Sequence, residues 1–358
     1  MDNREQLLQM LQEYTDKEKI YKQYYELQDD PDAKKAYLAE IEPIVREKHL
    51  LIFDFPFITH PELLTEADLY SHLSITKGSN INIVRHLRYT PVFWHSHTFF
   101  TVLYVLTGKC GHKVGELDLP MEQGDIFFLP PYVKQTIEVF DDSLILNIHI
   151  RRDTFGDYFF NVIRSNNVIS NFFISSLYSH EPIQGLLFQT GNDLEIRNLF
   201  LDMYQEILLD DVYSWRLLDQ MVPILFVKLL REYAEKVRLV GTHKNRKLNE
   251  QHLQLLGFIY DNYKSITLEQ VAEHFHYSIP HCSALIQKEA GMGFAAFVRQ
   301  IRMNHATTLL RNTHAPISEI SYTVGYETPE SFIRAFKKSY GMSPSQYRKQ
   351  KDTSSASL

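Results

Sequence analysis

The last third of the chain shows apolar residues at helical spacing in two similar blocks. In the first, Leu268, Val271, Ala272 and Phe275 form one stripe. Thr267 with Gln270 three residues on is a capping box, which predicts a helix start there. Ser278 is positioned to cap a second helix running to Gly291, and Pro280 falls in its first turn, where the missing N–H costs nothing. In the second block Ile317, Ile320 and Val324 repeat the stripe, and Gly325 stands where the chain must turn sharply. Thr328 followed by Pro329 then opens another helix, reaching Tyr340 and Gly341. Its Phe332, Ala335 and Phe336 face inward and leave Arg334, Lys337 and Lys338 outside. Residues 294–310 between the blocks read as one helix, about 25 Å long at 1.5 Å per residue. Each block is thus a short helix, a tight turn and a second helix able to enter a DNA major groove. A connecting helix of this length lets two such helices reach successive groove faces, which recur about every 34 Å.

Upstream the period changes. Between about 73 and 150, short runs alternate or are wholly apolar. They include Ile81-Asn-Ile-Val-Arg-His-Leu, Thr101-Val-Leu-Tyr-Val-Leu, Asp125-Ile-Phe-Phe-Leu, Thr136-Ile-Glu-Val and Leu144-Ile-Leu-Asn-Ile-His-Ile. Gly108, Gly111, Gly124 and Pro130-Pro131 punctuate them, as in an all-β barrel or sandwich. Helical spacing returns at 155–163, 168–177, 194–209 and 213–237, where Pro223 is expected to kink the last helix or begin a new one. Residues 1–49 read as two or three charged helices, divided at Asp29-Asp30-Pro31-Asp32, with no evident chemistry: a structural or dimer-supporting extension. The expected architecture is multidomain α+β: a helical extension over 1–49, a β-barrel over 50–150, a helical packing region over 151–240, and an all-α domain of two helix-turn-helix units joined by a linker helix over 241–351. The polar, basic stretch from Val240 to Lys247 serves as interdomain linker.

The blocks carry a family resemblance. Ile317-Ser-Glu-Ile-Ser, Val324-Gly-Tyr, Ser331-Phe-Ile-Arg-Ala-Phe-Lys-Lys and Tyr340-Gly-Met-Ser-Pro-Ser-Gln-Tyr-Arg resemble the AraC/XylS family of bacterial transcription regulators. His95-Ser-His97, Tyr104-Val-Leu-Thr-Gly108 and Gly124-Asp-Ile-Phe-Phe-Leu-Pro-Pro131 are similar to the cupin barrel that serves many of its members as a sensing module. The resemblance implies a ligand-responsive, sequence-specific DNA-binding regulator, dimerising through its central helices. It places Ser278, His281, Ser283, Gln287 and Lys288 of the first unit, and Thr328, Glu330, Ser331, Arg334, Lys337 and Lys338 of the second, on the DNA face. The first unit departs from the family: Ala284 stands where Arg is common, Ile286 where Phe is common and Gln287 where Lys is common. Since Arg is the side chain that reads guanine bidentately, the second unit is expected to carry most of the discrimination.

Charge supports this division. Residues 244–351 hold 14 Lys and Arg against 8 Asp and Glu, a net +6 that leaves −13 on the rest of a chain totalling −7. A basic terminal part on an acidic body suits a DNA binder with a separate sensing part. With 44% hydrophobic and 23% charged residues, the composition is that of a soluble globular protein. The apolar runs are too short for a membrane span. Met1-Asp-Asn-Arg-Glu-Gln does not read as a signal peptide, and Cys110 and Cys282 fall in different expected domains, so a reducing cytoplasm is expected.

His95 and His97 point to one face of a strand. A metal-binding cupin adds a carboxylate four residues later and a third His after the Pro-Pro turn, but those positions hold Thr101 and Gln135. His112 and His149 are the possible substitutes. Two imidazoles fall short of the three protein ligands of a catalytic site, so no metal or other cofactor is expected. Two alternatives remain: His95 and His97 are satisfied structural histidines near the barrel mouth, or they line an apolar pocket with a few polar groups. Trp94, Phe99, Tyr104 and Tyr132 are its candidate stacking faces, and Arg85, His95, His97, Lys134 and Gln135 its candidate hydrogen-bonding groups. Such a set suits a small-molecule effector, carbohydrates among them; the aromatics read equally well as barrel core. The expected partners are double-stranded DNA, the effector and a second copy of the chain. Two competing functions are a metallo-cupin enzyme with a helical appendage and a constitutive DNA binder whose barrel senses nothing. Metal analysis separates the first from the regulator. The purified protein should carry far less than one equivalent of transition metal, and stoichiometric iron, manganese or zinc lost on mutating His95 and His97 would contradict this.

Overall fold

The computed structural model describes residues 3–59, 61–65, 81–151, 172, 176, 184–211, 213–241 and 250–355. The chain divides into two compact units: Met1–Ile150 with Gln184–Gly241, and Arg151–Ile183 with Thr242–Leu358. The helices expected at 155–163 and 168–177 and most of the linker lie outside the described residues.

The first unit is built on antiparallel sheets. Strands β1 to β12 are Leu63–Leu64, Ile81–Arg85, Ser96–His97, Phe100–Thr107, Lys109–Val114, Leu117–Asp118, Met121–Glu122, Asp125–Leu129, Gln135–Glu138, Leu144–Ile150, Gly185–Gln189 and Arg238–Val240. Six of them form one sheet in the order β12-β11-β8-β4-β10-β2, and a smaller sheet gathers β6, β7 and β9 around β5. Between the two lies an apolar cluster that includes Leu103, Val105, Cys110, Val114, Phe127, Ile137, Ile145 and Leu187. Strands β11 and β12 correct the expectation of a purely helical 151–240 region, because both return to the edge of the main sheet beside β8.

The outer face of the main sheet is covered by helices α4, Leu194–Leu209, and α5, Ser214–Tyr233. Phe200 of α4 stacks on Tyr104 at 4.0 Å, and Phe226 of α5 meets Phe128 at 4.6 Å. Helix α5 continues through Pro223, so no new helix begins there. Its buried Leu218, Val222, Leu225, Phe226 and Leu229 lie on both sides of the proline, so packing of one continuous stripe outweighs the lost hydrogen bond.

Three N-terminal helices complete this unit: α1, Asn3–Gln12; α2, Asp16–Glu26; and α3, Pro31–Lys48. Asp30 caps α3 and Pro31 occupies its first turn, so the acidic Asp-Asp-Pro-Asp segment is a helix start. Tyr21, Tyr24, Tyr37, Ile41 and Val45 cluster with Tyr89, and Phe140 packs against the cluster. At its edge Glu18 is fully buried. Its carboxylate meets Arg88 at 2.9 Å and Arg85 at 2.7 Å, and accepts from the Thr15 N–H at 2.8 Å. The two guanidiniums also donate to the carbonyls of Leu11, Gln12 and Glu13. Arg85 therefore fastens the extension to the sheet, and is not free to serve as an effector ligand.

The second unit carries helices α6, Glu250–Asp261; α7, Leu268–His274; α8, Ile279–Ala290; α9, Phe294–Asn312; α10, Ile317–Thr323; α11, Pro329–Tyr340; and α12, Pro344–Ser355. Helix α9 has 19 residues, about 28 Å. Its Met303, Ala306 and Leu310 pack with Ile320, Val324, Phe332 and Phe336 of α10 and α11. Its earlier Phe297, Val298 and Ile301 are buried too, on the half that packs against α6 and α8. Among the described residues no helix is long and apolar enough to cross a membrane.

The buried ion pair yields a prediction. Burial pushes the Glu18 carboxyl up, but hydrogen bonds from Arg88 and the Thr15 N–H, together with the Arg85 charge, outweigh this and hold it below the usual carboxylate range. Its contribution to stability is therefore full above the unfolded value and is lost as pH falls through the depressed folded one. Glu18→Ala leaves two buried guanidiniums without their counter-charge and should cost about 3–5 kcal/mol. Urea unfolding of the full-length protein at pH 7 measures it. A cost below about 1 kcal/mol would mean that water replaces the carboxylate.

Candidate functional sites: a histidine-lined inner face and two matched helix pairs

Strand alternation decides what faces the inside of the sheets. On β4, Leu103 and Val105 point into the inner cluster, and Thr101 shares their face. Tyr104 has the opposite parity and lies under α4. It is therefore not among the inner-face groups, a correction to its expected place with the effector. On β10, Ile145 points inward, and so do Asn147 and His149. Asn82 of β2 is register-paired with His149.

These positions gather a polar band. The His97 Nδ1 lies 2.8 Å from the Thr101 hydroxyl. The His97 ring stacks on Phe99 at 4.6 Å, and its centroid is 5.1 Å from that of His95 and 5.8 Å from that of His149. Gln135 joins two more rings: its Oε1 is 2.9 Å from His112 Nε2, and its amide nitrogen 3.4 Å from His95 Nε2. The His95 Nδ1 faces the Phe93 carbonyl at 3.2 Å. A carbonyl only accepts, so Nδ1 of His95 carries the proton, Nε2 accepts from the Gln135 amide, and Oε1 of Gln135 accepts from His112 Nε2–H. That leaves His112 Nδ1 a bare acceptor. His112 Nδ1, His149 Nδ1, Asn82 Nδ2 and Asn147 Oδ1 are buried with no hydrogen-bond partner among the described residues, an arrangement that calls for an explanation in a folded protein.

All these imidazoles are held neutral. Burial depresses His112 to about 4 and His149 to about 3, and it lowers His95 and takes His97 well below the usual value. Of the expected effector residues, the structure brings together His95, His97 and Gln135, with Phe99 beside them. Trp94, Tyr132 and Lys134 are exposed, next in sequence to this band. The sequence reading passed over Asn82 and Asn147. Their signal was legible: single polar residues at alternate positions of otherwise apolar strands. The four histidines do not form a metal cluster, and among the described residues no group of three potential ligands could hold one. Thr101 and Gln135 instead serve as hydrogen-bond partners of the rings.

The second candidate is the pair formed by α7 and α8 and its counterpart formed by α10 and α11. Thr267 and Gln270 make the expected capping box. Ser278 and Thr328 cap α8 and α11 by accepting from the His281 and Ser331 N–H groups. Both second helices end on a left-handed glycine, Gly291 and Gly341. Counted from the caps, Cys282 matches Phe332 and Ile286 matches Phe336, all buried. Ala284 matches Arg334, Gln287 matches Lys337, and Lys288 matches Lys338, all exposed. Glu330 is exposed, Ser283 half-buried, and Ser331 returns its hydroxyl to the Thr328 carbonyl at 2.7 Å. The Gln287 amide donates to the Gly291 carbonyl at 3.2 Å, so it is turned along its own helix.

The turns differ. The first has four residues, 275–278, with His276 at φ 55°; the second has five, 324–328, with Gly325 at φ 90°. A Cβ on Gly325 would meet the Lys264 carbonyl oxygen at 2.5 Å, so only glycine fits. Arg302 of α9 donates to the Tyr263 and Lys264 carbonyls at 3.1 and 2.9 Å and lies over the Tyr326 ring.

Comparison with known proteins agrees with this two-part construction. A model of AraC-like ligand-binding domains matches residues 83–190, and a helix-turn-helix domain model matches 271–350. The melibiose operon regulatory protein of Escherichia coli (strain K12) is 34% identical over 112 residues, 30% of this chain and 37% of that protein. The lactose operon transcription activator of Staphylococcus xylosus is 34% identical over 140 residues, 39% of this chain and 47% of that one. The Msm operon regulatory protein of Streptococcus mutans is 24% identical over 254 residues, 70% and 84% of the two chains. The chain thus spans less than half of the melibiose and lactose proteins it matches. The matches define a two-module construction, with a ligand-binding domain ahead of a helix-turn-helix domain. In both modules the chain is similar to AraC-type transcription regulators.

The neutral histidines set a pH dependence. Well above about pH 6.5 they are uncharged in both folded and unfolded chains, and stability does not vary through them. Between about 6.5 and 3–4 the unfolded chain binds protons that the fold refuses, so stability falls as pH falls. Thermal melts from pH 7.5 to 4.5 should show this slope, and His149→Asn should make it shallower. An unchanged slope in that variant would remove His149 from the account.

Proposed function

We propose that the protein is an effector-responsive, sequence-specific DNA-binding regulator. The observation that carries the reading is the matched architecture of the two helix pairs, each a helix-turn-helix reader presenting α8 or α11 to a major groove. Helix α9, core to both, sets their spacing near one groove repeat. In α11, Glu330 is placed to accept from a cytosine amino group and Arg334 to read a guanine, and neither has an ion-pair partner among the described residues. Lys288, Lys337 and Lys338 supply phosphate contacts.

The sheets, read as a cupin-like barrel, hold the effector at the band of His95, His97, Gln135, His112, Asn82, Asn147 and His149. The band offers both donors and acceptors but no formal charge, since its imidazoles are neutral and Arg85 is bound to Glu18. That chemistry favours an uncharged, hydroxyl-rich ligand beside Phe99 over a carboxylate or a phosphate. Relatives named for melibiose and lactose operons support a sugar. The exposed Leu217, Ile224 and Val227 on one side of α5 are the surface proposed for homodimerisation, and effector binding would shift the balance between dimer arrangements that suit the operator and those that do not.

Two measurements test this. Gel-shift titration on selected DNA at two salt concentrations should give a steep salt dependence. Arg334→Ala should lose about 1–3 kcal/mol on the selected site and relax its preference at one base pair. Gln287→Ala should alter discrimination less; the reverse order would reassign the specific half. Thermal shift with melibiose, lactose and a uronic acid examines the effector. A fitting neutral sugar at a hundredfold its dissociation constant adds about 2.7 kcal/mol, and stabilisation by the acid alone would contradict an uncharged site.

A further inference from the structure

Resting on the DNA-binding reading above, the inference concerns what the first helix pair recognises. The matched positions of α8 and α11 differ in kind. Where α11 exposes Glu330 and Arg334, α8 exposes Pro280 and Ala284. Ile279, the first residue of α8, is 44% exposed, although its side chain is fully aliphatic and the core of its pair is closed beneath it by Cys282 and Ile286. The uncharged polar side chain of Gln287, also exposed on α8, is hydrogen-bonded to the end of its own helix. The charge on the exposed side of α8 is Lys288, at the end away from the cap, matching Lys338. The cap-proximal part of a recognition helix is the part that meets base edges.

An aliphatic reading surface has one complement in a major groove. Adenine, guanine and cytosine present only donors and acceptors there, whereas thymine adds a C5-methyl group. We infer that Ile279, Pro280 and Ala284 read thymine methyl groups, so that the half-site under α8 is specified by thymines and the half-site under α11 by guanine and cytosine. His281, whose ring is held edge-on to Tyr277 at 4.9 Å, borders this surface. The lysines of both pairs then serve the phosphates, and the two halves of the operator are read by different forces: apolar contact in one, charge-assisted hydrogen bonds in the other.

Base analogues test it without altering the protein. The full-length protein selects sites from a random DNA pool, and the half under α11 is the one whose footprint weakens in Arg334→Ala. Each thymine of the other half is then replaced by deoxyuridine, which removes only the methyl. Binding should weaken about fourfold at each contacted thymine, the equivalent of roughly 0.8 kcal/mol for one buried methyl-sized group. Replacing guanines of that half by 7-deazaguanine, which removes the N7 acceptor, should have no effect, while the same replacement under α11 should weaken binding at least tenfold. Ala284→Arg is a surface change that should leave the melting temperature in place, abolish the uridine effect at one position and select a guanine there instead. Full tolerance of uridine under α8, or a 7-deazaguanine penalty in that half, would overturn the inference while leaving DNA binding intact. A pool that yields no enriched sequence would overturn the DNA-binding reading and this inference with it.

Discussion

The grip of Arg302 on the chain leaving α6 is the constraint on which the C-terminal unit depends. One guanidinium holds the Tyr263 and Lys264 carbonyls and lies over Tyr326, which follows the turn of the second pair. Beside it the Gly325 backbone approaches Lys264 so closely that no side chain fits. A residue in the middle of the connecting helix thus ties the first helix of the unit to the second turn. The two reading helices owe their separation to the length of α9, and this contact opposes rotation of one pair about that helix. On the proposed DNA-binding reading, a loose tether would let the pairs find grooves independently, whereas a fixed one makes operator spacing part of recognition.

In the N-terminal unit a comparable role falls to Glu18. It belongs to a capping box that starts α2, yet its carboxylate also neutralises two arginines carried by the sheet. Local and long-range demands meet in one side chain, as expected where a sequence specifies a single structure. With both positive charges gathered at the extension, the histidine band is left with neutral imidazoles and amides, and that neutrality is what gives the proposed effector site its chemical character.

Much of this was legible in the sequence. The capping box at Thr267, the caps at Ser278 and Thr328, and the main strands between 81 and 150 follow from local chemistry that the structure retains. What escaped depended on distant partners or on parity. Arg85 looked like a ligand because Glu18 lies 67 residues away. Tyr104 looked like a stacking face because its one-residue offset from Leu103, which puts it under Phe200, was not weighed. Strands β11 and β12 are five and three residues long and sit among helical periods, so no pattern announces them. Pro223 does not begin a new helix because buried residues on both sides hold α5 together. The first turn was hidden for another reason: His276 adopts the positive φ that the second turn gives to Gly325, and histidine does not mark a turn as glycine does.

The late return of β11 has a consequence for how the chain matures. In the finished sheet β8 lies between β4 and β11, but β11 is made some sixty residues after β8, and β12 about fifty later again. Until they arrive, one flank of β8 is an open row of unpaired backbone groups on the strongly apolar Asp125-Ile-Phe-Phe-Leu segment, the sort of edge that recruits other chains. During synthesis the N-terminal unit therefore stays incomplete while more than a hundred residues emerge. The helices from 250 onward close with near neighbours in sequence, a topology that folds fast. A nascent chain stalled before residue 185 would thus be an aggregation hazard, and chaperone demand should concentrate on that interval of translation.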